Sequence, residues 1–256
     1  MLFWAYFQHH FDPVIFPIYG PLAVRWYGLA YFLGFLIAYF LLLHLSRKKI
    51  LVVPPNHVGD FVAWVAFWGI LLGGRMGYVL FYQPAMLLDP VEILQVWKGG
   101  MSAHGGVVGT ILAMVWYARR HKLPFLNLGD NMVCVVPVGL GFGRLANFIN
   151  GELYGNPTTV PWAVIFPDGH GGWLGPRHPS QLYEALGEGL FLFVLIWTLR
   201  HSAWSVVPGR LGGLFLLAYG VIRTGLEFFR APDAGLILGL SRGQFYSLFM
   251  VAAGAG

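Results

Sequence analysis

Seven stretches of this chain are apolar along most of their length: residues 24–45, 59–81, 102–118, 129–149, 182–199, 211–229 and 242–256. Short polar or Gly/Pro-rich joins separate most of them. A helix needs about 20 apolar residues to cross the hydrocarbon core, so the pattern predicts about seven transmembrane helices. Barrel strands would instead show alternating runs of roughly ten residues. The seventh stretch is short and ends in Ala252-Ala253-Gly254-Ala255-Gly256, which reads as a half-length span or a trimmed end. Ahead of the first stretch lie Trp4, Tyr6, Phe7, Phe11, Phe16 and Tyr19, with two prolines among them. They predict a segment at the membrane interface, where aromatic rings gather. Residues 1–24 hold no Lys or Arg, so the charged start of a cleavable signal peptide is missing.

Composition sharpens this. The chain is 57% hydrophobic and 11% charged, whereas a soluble chain carries about 25% charged residues. The fold class expected is therefore an all-α integral membrane protein, with residues 1–256 as one transmembrane helical domain. The net charge of +5 is scattered over loops and helices, with no basic stripe, which argues against nucleic acid as a partner. Cys134 is the only cysteine. It excludes an internal disulfide, a cysteine metal site and a redox pair. No His/Asp/Glu set has metal-ligand spacing, and no Gly-x-Ser-x-Gly elbow is present.

Loop charges set an orientation. The joins near 46–57, 119–128 and 200–210 hold Arg47, Lys48, Lys49, Arg119, Arg120, Lys122, Arg200 and Arg210; the opposite joins hold Lys98, Arg177, Arg230 and Arg242. The positive-inside rule then places the N-terminus outside and, with seven spans, the C-terminus in the cytoplasm. Arg75, Arg144 and Arg223 then lie about 18–24 Å from the cytoplasmic side, at 1.5 Å per helical residue. His104 opens an inward-running span at the same level. Residues 150–181 form the one long external join, rich in Gly and Pro and containing the strand-like piece Thr158–Phe166. Joins of this length are often functional, and this one reads as a small external cap.

The candidate chemistry centres on the run from Gly143 to Gly155, where Arg144, Asn147, Asn150 and Glu152 break an apolar span. Arg144 reads either as a structural arginine paired inside the bundle or as an anion site. Ionisable groups in a span are functional candidates, and a guanidinium matches phosphate oxygens. Asn147 shares the face of Arg144 at i+3. Tyr219, Arg223 and Glu227 form an i, i+4, i+8 stripe, in which Glu227 can neutralise Arg223 while leaving it within reach of a phosphate. His104 lies between Ser102-Ala103 and Gly105-Gly106. Those glycines are expected to open space beside an imidazole able to act as base. Arg75, in Gly73-Gly74-Arg75-Met76-Gly77, needs a partner such as Glu152 or a lipid headgroup. Glu152 is expected to orient a neighbouring cation. Arg25, Trp26 and Tyr27 read as interfacial anchors. His178-Pro179-Ser180-Gln181-Leu182-Tyr183-Glu184 reads either as a helix start, with Glu184 favourable in the first turn, or as hydrogen-bonding groups at a membrane entry that support the site from behind.

The run Gly-Arg-x-x-Asn-Phe-x-Asn-x-Glu-x-x-Gly over 143–155 resembles the hallmark of the prolipoprotein diacylglyceryl transferase family. So do Gly74-Arg75, His104-Gly105-Gly106, Trp162 to Asp168, His178 to Glu184, Tyr219 to Glu227, Phe229-Arg230-x-Pro232-Asp233 and Gly243-Gln244. One departure is Arg242, where many relatives are apolar. The resemblance implies a bacterial inner-membrane enzyme that moves the diacylglyceryl group of phosphatidylglycerol to the lipobox cysteine of a preprolipoprotein signal peptide. A thioether forms, glycerol 1-phosphate leaves, and neither cofactor nor metal is called for. It implies catalytic roles for His104, Arg144 and Arg223. Tyr27, Arg75, Asn147, Asn150, Glu152, Gly155, Tyr219 and Glu227 are implied to bind substrate. The arginines alone would also allow a transporter or flippase for an anionic lipid, although no inverted repeat is visible.

Overall fold

The computed structural model describes residues 6–20, 22–231 and 235–256. Trp4, Pro232 and Asp233 lie outside them. Each apolar stretch falls on a long helix. These are α1 (Trp26–Arg47), α2 (Pro55–Phe81), α3 (Ala103–His121), α4 (Phe125–Ile149), α5 (Ser180–Arg200), α6 (Arg210–Leu226) and α7 (Arg242–Ala255). Four of them, α1, α2, α4 and α5, are long and apolar enough to cross a membrane. The protein is thus a mainly helical membrane protein. Helix α4 loses its regular pattern over 133–135, just before Pro137, whose ring clashes with the carbonyl four residues back. Both α2 and α5 contain a widened π-helical stretch, Val65–Leu72 and Ala185–Phe191. Such bulges re-aim side chains and often mark functional sites.

Two compact units are distinguished: residues 1–38 with 133–256, and residues 39–132. In the second unit α2 and α3 run antiparallel and meet through glycines. Gly69 faces Thr110, Gly73 faces Gly109, and Gly77 faces Gly105. Small residues let helix backbones approach closely in a membrane, where no hydrophobic force drives helices together. Gly105 therefore packs against α2; it does not open space beside His104. Phe61 and Tyr117 add ring contact at 4.9 Å.

In the first unit α4 meets α5 at Gly141 and Gly189, and α6 meets α7 at Gly213 and Gly254. Helix α7 begins with a capping box: Ser241 accepts from the Gln244 backbone and Gln244 accepts from the Ser241 backbone. The aromatic N-terminal segment is largely strand. β1 (Phe7–Gln8) pairs in parallel with β4 (Val164–Ile165), and β2 (Val14–Tyr19) forms a hairpin with β3 (Leu22–Arg25). Phe16, Ile18 and Tyr19 of the hairpin are exposed. The strand expected over Thr158–Phe166 shrinks to β4, because Pro161 lacks a backbone donor for a ladder.

The glycine seam makes a contrast that can be measured. A Cβ built on Gly105 would stand 2.7 Å from Gly77 Cα, whereas one on Gly106 finds only the Ile70 carbonyl oxygen, at 3.9 Å. Gly105→Val is expected to cost about 3 kcal/mol or more by overpacking against backbone, and Gly106→Ala close to nothing. Thermal unfolding in detergent reads both.

Candidate active site

A buried ionic network occupies the first unit. Glu184 ends the opening turn of α5, and Glu188 lies four residues on in its π-helical stretch. Helix α6 carries Tyr219 and Arg223, with Glu227 and Arg230 just beyond its end. Helix α4 brings Arg144. The Glu184 carboxylate meets three guanidiniums: Arg144 Nε at 3.1 Å, Arg223 Nη1 at 2.6 Å and Arg230 Nη1 at 3.0 Å. Glu188 meets Arg144 Nη2 at 3.2 Å and Arg223 Nη1 at 3.5 Å. Glu227 meets Arg223 Nη2 at 2.8 Å. Three arginines thus face three glutamates.

Burial is uneven across this network, and the unevenness gives it a front and a back. The Glu184 and Glu188 side chains are wholly buried, while those of Arg144 and Arg223 keep 17% and 12% of their surface exposed. A buried carboxylate is tolerable only when paired and hydrogen-bonded. Here the carboxylates sit behind and hold the guanidiniums forward. Arg144 Nη1 makes no hydrogen bond among the described residues, leaving donors for an incoming anion. Tyr219, stacked on Phe215, lies in the field of Glu188, Arg223 and Arg144. Glu184 is therefore more than a favourable first-turn residue. Glu188 drew no notice in the sequence at all, and Arg230 figured there only in a motif and a loop-charge count. Two acids inside an apolar stretch were the available signal.

The run Gly143–Gly155 supplies the α4 side. Asn147 Nδ2 donates to Glu152 Oε1 at 2.8 Å, and Asn150 Nδ2 reaches the same oxygen at 3.3 Å. Glu152 therefore gathers two amides, where a cation partner was expected. The turn that follows α4 needs Gly151 at φ +69°, a conformation glycine adopts freely. Gln181 Nε2 donates to the Glu152 carbonyl at 2.6 Å, and Ser180 Oγ to that of Leu153 at 3.1 Å. The start of α5 thus grips the turn after α4. Buried His9 ties on the N-terminal segment: its Nε2–H donates to the Phe148 carbonyl at 2.6 Å, among the rings of Phe11, Phe148 and Phe166. At Gly155 an added Cβ would run into Phe229 and His178, so its contribution is room for close backbone passage.

Arg75 and His104 belong to the second unit. The Arg75 side chain donates to four backbone carbonyls: Ile93 at 2.8 Å, Gly99 at 2.6 Å, Gly100 at 2.9 Å and Glu92 at 2.7 Å. It is buried. Neither Glu152 nor a headgroup is needed to satisfy it, because the loop carbonyls take up most of its five donors. Those four bonds organise the loop that runs from Glu92 to Gly100. His104 is exposed near the start of α3, behind the N-cap Ser102. Tyr27 packs against Tyr31 with ring centroids 5.3 Å apart.

The model of the prolipoprotein diacylglyceryl transferase family matches residues 13–256. The chain belongs to that family. A phosphatidylglycerol–prolipoprotein diacylglyceryl transferase of Rhodospirillum rubrum is 51% identical over 250 residues, covering 95% of this chain and 89% of the relative. Proteins of the same name from Nitrosomonas europaea and Gluconacetobacter diazotrophicus are 49% and 47% identical; the alignments cover 95% and 96% of this chain and 87% and 89% of theirs.

In this family member a second polar chain borders the site. Trp162 Nε1 donates to the Tyr183 hydroxyl at 2.7 Å, and that hydroxyl donates to His178 Nδ1 at 3.2 Å. The direction follows from Trp162 being a donor only. Burial holds the His178 imidazole below the usual histidine range, which keeps Nδ1 available as an acceptor.

The network predicts a graded loss of stability. Glu184→Gln removes the buried charge shared by three arginines and is expected to cost about 3–5 kcal/mol. Glu227→Gln, with its one partner at the edge, is expected to cost clearly less. Thermal midpoints of the two variants in the same detergent give the comparison.

Proposed function

We propose that this protein transfers the diacylglyceryl group of phosphatidylglycerol to the lipobox cysteine thiol of a preprolipoprotein, in a bacterial cell inner membrane. Membership of the family supports the reaction class. The observation that carries the site is the forward placement of Arg144 and Arg223, with Glu184 and Glu188 wholly buried behind them. A guanidinium pair so held meets a phosphodiester without reorganising. Preorganised donors of this kind are usually the largest single contribution to catalysis.

The chemistry is an alkyl transfer. The thiolate sulfur attacks the glycerol carbon that carries the phosphate. A C–S bond forms, the C–O bond breaks, and glycerol 1-phosphate leaves with the electron pair. Arg144 and Arg223 stabilise the charge that grows on the departing phosphate. Their positive field also favours the thiolate, whose ordinary pKa is about 8.5. His104 takes the thiol proton. Asn147, Asn150, Glu152, Tyr219 and Glu227 line or brace the lipid site, and Tyr27 meets the lipid from the start of α1. No metal or cofactor enters these steps. Release of glycerol 1-phosphate separates this reading from lipid transport, in which labelled lipid would move unchanged.

With phosphatidylglycerol and a lipobox peptide, Arg144→Ala and Arg223→Ala are each expected to lower kcat/KM about 10²–10³-fold. Arg144→Lys, which keeps the charge and loses the planar fork, should lose less than Arg144→Ala. Full turnover in both alanine variants would discard the phosphate clamp. His104→Asn is expected to cost about 10²-fold near neutrality and to recover as the thiol ionises by itself at alkaline pH. A full rate from about pH 6 to about pH 9 would remove His104 as base.

The same reading includes seven membrane crossings with the N-terminus outside and residues 150–181 as an external cap. A cysteine placed at Thr159 should react with an impermeant maleimide on intact cells. One placed at Lys122 should react only after permeabilisation. The reverse result would invert the topology.

A further inference from the structure

The ionic network sets a charge problem that the bound lipid must solve. With all groups ionised, Arg144, Arg223 and Arg230 balance Glu184, Glu188 and Glu227. Phosphatidylglycerol brings one further negative charge, on its phosphodiester, to the face formed by Arg144 and Arg223. A net negative charge in a poorly hydrated site is costly. It is relieved when one carboxylate takes up a proton.

The geometry points to Glu188 as the carboxylate that is protonated when the lipid phosphate binds. This inference rests on the proposed lipid site. Glu184 is held by three guanidiniums, the shortest contact being 2.6 Å, so its charge is the most heavily compensated of the three. Glu227 pairs with Arg223 at 2.8 Å. The contacts of Glu188 are the longest, 3.2 and 3.3 Å from Arg144 Nη2 and Nε and 3.5 Å from Arg223 Nη1, and all three are to the two arginines that face the ligand. Its Oε1 makes no hydrogen bond among the described residues and is buried, as are Glu184 Oε2 and Glu227 Oε2, so contact length and the identity of its partners are what single Glu188 out. The groups facing it are Arg144 from α4, Arg223 and Tyr219 from α6, and Glu184 from its own helix. A phosphate drawn to Arg144 and Arg223 therefore replaces the very counter-charge that Glu188 provided. A proton from water joins a Glu188 carboxylate oxygen; no other bond changes. Glu188 then acts as a positioning residue that matches the charge of the site to an anionic lipid.

The test is calorimetric titration of the full-length protein, in phosphatidylcholine-containing micelles, with phosphatidylglycerol in two buffers of different ionisation enthalpy. Wild type is expected to take up about one proton per lipid bound, and its affinity to fall about tenfold per pH unit between the free and bound pKa values of the group. Glu188→Gln, which carries the neutral form permanently, is expected to take up none, to show a flat pH profile, and to bind more tightly than wild type at alkaline pH. Glu227→Gln is expected to keep the proton uptake. Lipid binding by wild type with no proton uptake would overturn the inference while leaving the transferase reading intact. Uptake that persists in Glu188→Gln and vanishes in Glu227→Gln would overturn the assignment to Glu188. A failure of wild type to bind the lipid at all would overturn both readings.

Discussion

The site in this protein depends on the pairing of two buried carboxylates with arginines from neighbouring segments. Glu184 alone joins α4, α6 and the segment after α6 through Arg144, Arg223 and Arg230. Ion pairs of this kind are weak sources of net stability, because desolvation offsets much of the attraction. Their value lies in geometry. The glutamates fix where two guanidinium planes stand and which edges of them remain open. An arginine held only by apolar packing in a span would snorkel toward water. The carboxylates behind Arg144 and Arg223 hold them inside the bundle.

Around that network the chain uses small residues to bring backbones together. Gly141 and Gly189 let α4 approach α5, and Gly155 lets the following turn pass Phe229 and His178. Gln181 and Ser180 then bind the carbonyls of Glu152 and Leu153. The helix that supplies the carboxylates thereby also secures the turn that ends the Arg144 helix. The π-helical stretch Ala185–Phe191 belongs to the same arrangement, since it sets the aim of Glu188 relative to Glu184.

Much of the helical layout was legible in the chain, since hydropathy is a property of each stretch by itself. The seven apolar runs coincide with α1–α7, and the Tyr219, Arg223, Glu227 stripe could be read because its members share one helix face. What escaped were pairings between distant segments. Glu152 and Arg75 were each assigned charged partners from composition, yet two asparagines and four backbone carbonyls satisfy them. Gly105 looked like open space beside His104, and only the position of α2 reveals it as a contact. Glu188 is hard to read from the chain, since two acids, Glu184 and Glu188, leave the run 182–199 strongly apolar, although its burial is what makes it matter.

The parallel pairing of Phe7–Gln8 with Val164–Ile165, reinforced by His9 on Phe148, bears on the order of synthesis. The two strands are roughly 160 residues apart, and a ribosome adding about 5–20 residues per second needs roughly ten to thirty seconds to cover that gap. The first strand must wait that long for its neighbour, while several helices that follow it are made and inserted. The aromatic N-terminal segment thus completes the first unit late, as a clasp fastened after the helices it joins have emerged.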